Sequence, residues 1–154
     1  MINQTCCFLG HREISETQEL KLRLYCIIEK LINQDVDTFL FGSKSRFDSL
    51  CYEVVCALKE KYPHIKRIYV RAEYPEINTE YCEFLLQKYD DTYFPKEALS
   101  SGRYAYIKRN RHMIDKSLYC VFYCRENYSP KGRNSGTKTA LDYANKKNKQ
   151  IITV

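Results

Sequence analysis

The chain has no apolar run of about 18 residues, so no transmembrane helix is expected. Its N-terminus lacks the basic stretch, apolar run and small-residue cleavage site that together make a secretory signal peptide. These two absences argue against the secreted and integral-membrane classes and predict a cytoplasmic protein with no membrane partner. The 154 residues are enough to bury one core, and we expect a single domain over residues 1–154.

Metal-ligand spacing is also missing. No Cys-x-x-Cys pair occurs, and the three histidines lie far apart at His11, His64 and His112. We therefore expect neither a bound metal nor a cofactor. The eight cysteines lie inside apolar runs, which favours reduced thiols that pack as small hydrophobes over a disulfide framework.

Acidic residues are scarce in the last third of the chain. Residues 100–154 carry 12 Lys and Arg against 3 Asp and Glu, whereas residues 1–99 carry 13 against 16. The net charge of +6 therefore belongs to the C-terminal third. A positive field of this kind suits an anionic ligand or nucleic acid, and the alternative is an ordinary solvated basic face.

Short apolar runs alternate with segments whose apolar residues recur at helical spacing. The strand-like runs are 5–9, 38–41, 65–70, 118–124 and 151–154, and the helix-like segments are 16–33, 47–61, 79–88, 103–116 and 136–148. Residues 91–94 are a candidate for a short extra strand, and 125–135 read as a basic loop. The uniformly apolar strands predict an α/β fold with a parallel sheet of about five strands and helices on both faces.

Polar turns follow four of the predicted strands. Because parallel strands end at one edge of the sheet, these turns should meet at a ligand site there. Three of the five glycines (Gly10, Gly42 and Gly136) mark them. The candidate binding residues in the turns are Gly10, His11 and Arg12, then Gly42, Ser43, Lys44 and Asp48, then Arg71 and Glu73, and finally Ser135, Gly136 and Thr137.

The last of these turns opens a helix, where free backbone N–H groups meet the positive end of the helix dipole. Such a turn is suited to a phosphate or ribose phosphate. The helix at 103–116 adds Arg109, Asn110 and Met113, which share one side of it at spacings of three and four. Arg109 can reach a phosphate with two donors at once.

Each turn also has a purely structural interpretation. Gly10 can serve a tight turn with His11 and Arg12 solvated, and Gly42 and Ser43 can belong to ordinary helix capping. Asp48 can balance a helix N-terminus, and Arg71 can pair with Glu73. Arg109 can be one of several surface arginines. The coincidence of four such turns at four strand ends favours the ligand site.

Four segments together resemble the SLOG superfamily of Rossmann-like nucleotide-binding domains, within it the YpsA-like branch of bacterial and phage proteins. The segments are 7–12, 41–48, 109–115 and 135–144. The resemblance implies a doubly wound Rossmann-like fold and a pocket for a nucleotide or nucleotide-derived ligand, such as an NAD- or ADP-ribose-type molecule. It also implies that association into homo-oligomers is common and is compatible with a role in bacterial or phage defence or stress.

The related Lonely-Guy enzymes cleave the N-glycosidic bond of nucleoside monophosphates. By that resemblance, Arg109, four residues before Met113, matches a catalytic arginine. The matching glutamate, three residues after the Gly-Thr pair, is replaced by Ala140, and Ser135 replaces a glycine. Glycosidic cleavage needs a carboxylate. Asp142 lies near half a turn from the face of Thr137, and Asp48 or Glu73, from neighbouring loops, could supply the carboxylate instead.

Three hypotheses follow. The leading one is a sensor or sequestering protein for a nucleotide-derived ligand. In it, N–H groups of residues 42–43 and 136–137 hold phosphates, Arg12 and Arg109 neutralise charge, and Asp48 fixes a ribose hydroxyl or orients a loop. The second is an N-glycosidic-bond hydrolase of nucleoside monophosphates or NAD-like molecules, with Arg109 and Asp48 catalytic. The third, less favoured, is single-stranded nucleic-acid binding by the basic third and the tyrosines.

Overall fold

A computed structural model describes residues 4–125 and 135–154. The strands are β1 (Thr5–Gly10), β2 (Thr38–Phe41), β3 (Lys66–Val70), β4 (Asp91–Tyr93), β5 (Tyr119–Tyr123) and β6 (Gln150–Thr153). The helices are α1 (Thr17–Asn33), α2 (Arg46–Lys61), α3 (Thr79–Lys88), α4 (Ala105–Asp115) and α5 (Gly136–Lys146). Two short 3₁₀ turns, Lys96–Ala98 and Gly102–Tyr104, precede α4.

All six strands pair in parallel in one sheet of order β4-β3-β2-β1-β5-β6. The α/β class and the parallel sheet are confirmed. The predicted number of about five strands was one short, because the candidate strand at 91–94 does form and adds to the edge beside β3. The strand order reverses at β1, and the chain returns there to pair β5 with β1. This reversal is the point where such sheets bind ligands.

Two cores cover the two faces of the sheet, because successive side chains of a strand point to opposite faces. Along β1, Cys6 and Phe8 face the core made with α1 and α2, whereas Cys7 and Leu9 face the core made with α4 and α5. The helices therefore lie on both faces, as a doubly wound Rossmann-like fold requires.

The eight cysteines are free in the structure, and four of them, Cys6, Cys7, Cys51 and Cys120, are buried. Burial raises the pKa of the Cys6, Cys7 and Cys51 thiols well above the ordinary value. These side chains are therefore neutral and pack as small apolar groups in the two cores.

Candidate functional site

A cleft of about 710 Å³ lies at the carboxyl edge of the sheet. It is lined by the loops that follow β1, β2 and β3, by α4 and by the start of α5: Gly10, His11, Arg12, Gly42, Ser43, Lys44, Ser45, Tyr69, Ala72, Glu73, Tyr106, Arg109, Asn110, Ser135, Gly136 and Thr137. The structure thus brings the predicted turns together around one space. Among the described residues predicted for the site, Asp48, Arg71 and Met113 lie outside this lining.

The N-terminus of α5 forms one wall of the cleft. Ser135 is the N-cap, and its hydroxyl accepts a hydrogen bond from the Lys138 N–H at 3.0 Å. By helix geometry, the N–H groups of Gly136 and Thr137 have no acceptor within the helix and sit at its positive end. A Cβ added at Gly136 would meet no atom of the described residues within 4 Å. An anion can therefore approach this backbone closely.

The start of α2 is already occupied by protein groups. Ser45 is its N-cap, with its hydroxyl accepting from the Asp48 N–H at 3.0 Å and lying 2.9 Å from the Ser43 hydroxyl. The Arg46 N–H donates to the carbonyl of Arg12 at 2.9 Å, which fastens the loop after β1 to α2. These bonds fix the cleft wall and occupy N–H groups that could otherwise bind an anion. The start of α2 is therefore a weaker anion site than the start of α5.

Arg109 is buried, with 4% of its surface exposed, although it lines the cleft. Its Nη1 donates to the Gly42 carbonyl, and its Nε donates to the Asn110 side-chain oxygen at 3.0 Å. Burial lowers the pKa of Arg109, while the nearby Asp48 opposes that shift. The guanidinium is held in one place by these bonds before any ligand arrives.

Gly42 is required by the close approach of α4. A Cβ at this position would lie 2.7 Å from Arg109 Cδ and 2.7 Å from Met113 Sδ, which is too close for any real side chain. Met113 is fully buried beneath the loop and belongs to the core made with α4 and α5. The spacing of Arg109 and Met113 thus serves packing against Gly42 as well as the cleft.

Asp48 is buried beneath the cleft floor with 4% of its surface exposed. Burial raises its pKa to about 8, although the charge of Arg109 and a hydrogen bond from the Gly42 N–H act in the opposite direction. Among the described residues, its Oδ1 has no hydrogen-bond partner. Asp48 therefore holds the Gly42 backbone from below.

Arg71 is buried and committed to the loop that follows β3. Its Nε donates to the Tyr74 carbonyl at 3.0 Å, its Nη2 to the Pro75 carbonyl at 3.2 Å and its Nη1 to Thr92 Oγ1 at 3.1 Å. The pairing with Glu73 considered from the sequence is replaced by these bonds. Arg71 shapes the loop instead of facing the cleft.

Glu73 lies at the rim of the cleft between two other elements. Its Oε1 accepts from the Tyr106 hydroxyl at 2.6 Å, and its Oε2 lies 3.7 Å from Lys44 Nζ. The Tyr106 hydrogen bond and the Lys44 charge lower the pKa of Glu73. The carboxylate is therefore ionised near neutral pH and ties the loops after β2 and β3 to α4.

His11 is buried where the loop leaves β1, whereas Arg12 beside it is exposed. His11 Nε2 accepts from the Arg125 N–H at 2.7 Å, and the ring meets Tyr123 edge-on at 5.9 Å. Burial lowers the pKa of His11, so the ring is neutral. Arg12 is the residue of this pair that presents a charge to the cleft.

The two positions on α5 considered for a catalytic carboxylate, 140 and 142, do not line the cleft. Ala140 is buried in the core against α4, and Asp142 pairs with Lys138 at 2.9 Å on the exposed side of the helix. The predicted basic loop at 125–135 falls mostly on residues 126–134, which lie outside the described ranges.

Four cleft residues were missed from the sequence: Ser45, Tyr69, Ala72 and Tyr106. Tyr106 lies three residues before Arg109, so helical spacing was a usable signal for it. Tyr69 lies within β3, so a search for polar residues in the turns does not find it.

The geometry agrees with a family match over nearly the whole chain. A family model described as the YspA SLOG family, named YpsA, matches residues 10–154. The chain belongs to this family. No curated protein matches it. Among the helices in the two described ranges, none has both the length and the apolar character needed to cross a membrane.

Proposed function

We propose that this SLOG chain binds a nucleotide or nucleotide-derived ligand in the cleft at the carboxyl edge of the sheet, as a sensor or sequestering protein. The observation that carries the proposal is the convergence of three strand-end loops, α4 and the N-terminus of α5 on one cleft. Its volume of about 710 Å³ is in the range of small-molecule sites.

The charges around the cleft favour a phosphate-bearing ligand. Arg12 and Lys44 are exposed cations at its rim, and Arg109 is a fixed cation in its wall. The N–H groups of Gly136 and Thr137, which have no acceptor within their helix, add hydrogen-bond donors at a positive helix end. A phosphate would accept from this backbone, with Arg12 and Arg109 neutralising its charge. Asp48 holds the backbone of the loop after β2 and is not assigned to the ligand, because it is buried beneath Gly42.

Binding without turnover is favoured over glycosidic cleavage. The position that would carry a catalytic carboxylate on α5 is Ala140, which packs in the core. Of the two remaining candidates, Asp48 lies outside the cleft lining, and Glu73 is engaged by Tyr106 and Lys44. The hydrolase alternative therefore requires Glu73 to leave its partners when substrate binds.

Thermal unfolding with added ligand tests the proposal. ADP-ribose, NAD and AMP are each added at about 1 mM to the wild-type protein; a ligand present at about 100 times its Kd stabilises the folded state by about 2.7 kcal/mol. For a chain of this size, we expect a rise in Tm of roughly 5–10 °C. No rise with any of the three ligands would rule the proposal out.

Gly136→Ala makes the test specific to the site. The added methyl group meets no atom of residues 4–125 or 135–154 within 4 Å, so the unliganded Tm should stay the same or rise slightly. The methyl group occupies the space that a phosphate needs, and we expect affinity to fall at least tenfold, about 1.4 kcal/mol. Asn145→Ala, exposed at the far end of the same helix, is the matched control and should bind as wild type.

Two further readouts separate the alternatives. Release of free base from AMP or NAD, abolished by Arg109→Ala, would favour the hydrolase. Steeply salt-dependent binding of a single-stranded oligonucleotide, with no response to ADP-ribose, would favour nucleic-acid binding.

A further inference from the structure

A second pocket of about 490 Å³ adjoins the cleft. It is formed by the loop after β3 and the start of α3, and it is lined by Lys44, Tyr74, Glu76, Ile77, Asn78 and Tyr81. Lys44 lines both spaces, and the neighbouring residues Glu73 and Tyr74 line one each. A ligand in the cleft can therefore extend past Lys44 into this pocket.

The walls of the second pocket are aromatic and exposed. Tyr74 has 53% of its surface exposed, although it is a large aromatic residue. Its ring lies perpendicular to the Tyr81 ring with 6.0 Å between the centroids, and the exposed half of the Tyr74 side chain is available for stacking. Ile77 adds apolar surface beside them. A flat heterocycle is the kind of group that such a wall binds.

Besides the shared Lys44, the polar groups of the pocket are a carboxylate and an amide. Glu76 supplies a carboxylate, which accepts hydrogen bonds from an amino group and repels a phosphate. The Asn78 side-chain oxygen accepts from the Tyr81 N–H at 2.8 Å, so its amide nitrogen is the group left to donate. This combination fits the edge of an amino-bearing base.

The loop that carries the pocket is held in place by Arg71. This buried guanidinium donates to the carbonyls of Tyr74 and Pro75 and to Thr92 of β4. A buried arginine bonded to two successive carbonyls fixes the backbone at the pocket wall. The stacking surface is thus ordered in advance, which lowers the entropy lost on binding.

The distance between the two subsites sets the length of the ligand. The N-terminus of α5 follows β5, and the pocket loop follows β3, with β1 and β2 between them in the sheet. Three strand spacings amount to about 14 Å. A mononucleotide is too short to place its phosphate at one end and its base at the other, whereas a nucleoside joined through a pyrophosphate to a second ribose spans this distance.

We propose that the pocket around Tyr74, Glu76 and Tyr81 is the base subsite of the ligand and takes an amino-bearing purine, while the pyrophosphate and distal ribose lie in the cleft. This assignment rests on the proposed function, since it concerns the other end of the same ligand. Tyr74 stacks on the base, Glu76 accepts from its amino group, and Lys44, which lines both spaces, lies between the base and the phosphates at the N-terminus of α5.

The absence of tryptophan from the chain makes a direct test available. Tyr74→Trp introduces a single tryptophan on the pocket wall, and a stacked purine quenches its fluorescence. Saturating ADP-ribose is expected to quench this emission by half or more, whereas ribose 5-phosphate, which lacks a base, leaves it unchanged. Tyr104→Trp is the matched control, because Tyr104 is a similarly exposed aromatic that lines neither space and should show little quenching.

Affinities of three variants separate this inference from the proposed function. Tyr74→Ala should weaken ADP-ribose binding by about tenfold and leave ribose 5-phosphate binding unchanged, as the loss of one stacked base predicts. Gly136→Ala should weaken both. NAD should bind about tenfold more tightly than its hypoxanthine analogue, and Glu76→Ala should remove that preference.

Equal quenching in the two tryptophan proteins would overturn the base subsite. So would ADP-ribose binding that Gly136→Ala weakens and Tyr74→Ala leaves unchanged, although that result would support the proposed function. If ADP-ribose, NAD and AMP all fail to bind the wild-type protein, the proposed function fails as well.

Discussion

At the scale of single residues, Asp48 links the stability of the protein to pH. Its pKa rises from an ordinary value of 3.8 to about 8 because burial disfavours the charged form. Between these two values the folded protein holds the proton and the unfolded chain has lost it. Unfolding therefore becomes easier as pH rises from about 4 to about 8, and the contribution levels off above that range.

Asp48→Asn is expected to remove this dependence. The amide has nearly the same shape and no charge, so the variant should match wild type near pH 4 and gain stability over it, by several kcal/mol, as pH approaches 8. Urea unfolding across this range measures the difference. Asp142→Asn removes only an exposed ion pair with Lys138 and should stay within about 0.5 kcal/mol of wild type across this range. A constant offset between Asp48→Asn and wild type would contradict the prediction.

Gly42→Ala should destabilise the protein by about 1–3 kcal/mol, because the new Cβ overlaps Arg109 Cδ and Met113 Sδ. The midpoint of urea unfolding reports this loss. Gly136→Ala adds the same methyl group where no atom of the described part of the chain lies within 4 Å, and it serves as the control. An unchanged midpoint for Gly42→Ala would show that α4 can move away from the loop without cost.

At the scale of elements, helices and strands were read from the sequence with small errors. The predicted start of α5 at residue 136 is confirmed, and α2 begins one residue earlier than predicted because Ser45 caps it. The helix predicted from 103 begins at Ala105, since Gly102–Tyr104 form a 3₁₀ turn first. The role of Arg71 was beyond sequence reasoning, because one of its partners, Thr92, lies 21 residues away on another strand.

Arg71→Lys tests how far this one side chain holds the loop after β3. A lysine presents one ammonium where the guanidinium bonds three acceptors, so we expect a loss of about 1–3 kcal/mol in stability. Faster amide hydrogen exchange should be confined to residues 73–78. Arg103→Lys, exposed on the turn before α4, should change neither measurement. If amide hydrogen exchange in the Arg71 variant is unchanged, other contacts hold the loop in place.

At the scale of the whole molecule, the alternation of apolar runs was enough to predict the parallel sheet and the edge where the turns meet. The pattern did not identify which turn residues face the cleft. Asp48 and Arg71 are buried and hydrogen-bond to backbone groups instead of lining the cleft, an orientation that tertiary packing sets. Tyr69 and Tyr106 line the cleft although they lie within a strand and a helix and not in a turn. The shortest strand, β4, has only three residues and carries little apolar signal, so the sequence indicates it only weakly.

The distribution of charge over the molecule predicts salt-dependent binding. The net charge of +6 arises from the C-terminal third, which includes α4 and α5 at the cleft. Raising ionic strength from about 50 to 200 mM screens this field, and we expect the Kd for ADP-ribose to rise several-fold. Adenosine, which carries no phosphate, should bind with little salt dependence. Equal salt dependence for both ligands would contradict a role for the basic third.

The contact between Gly42 and α4 also has an evolutionary consequence. A larger side chain fits at position 42 only if the side chain at position 109 or 113 becomes smaller, because Arg109 and Met113 fill the space that a Cβ would occupy. Substitutions at these three positions should therefore be correlated among relatives. A relative with a larger residue at the position of Gly42 is expected to carry a shorter side chain on the facing helix and, with it, a displaced guanidinium and an altered choice of ligand.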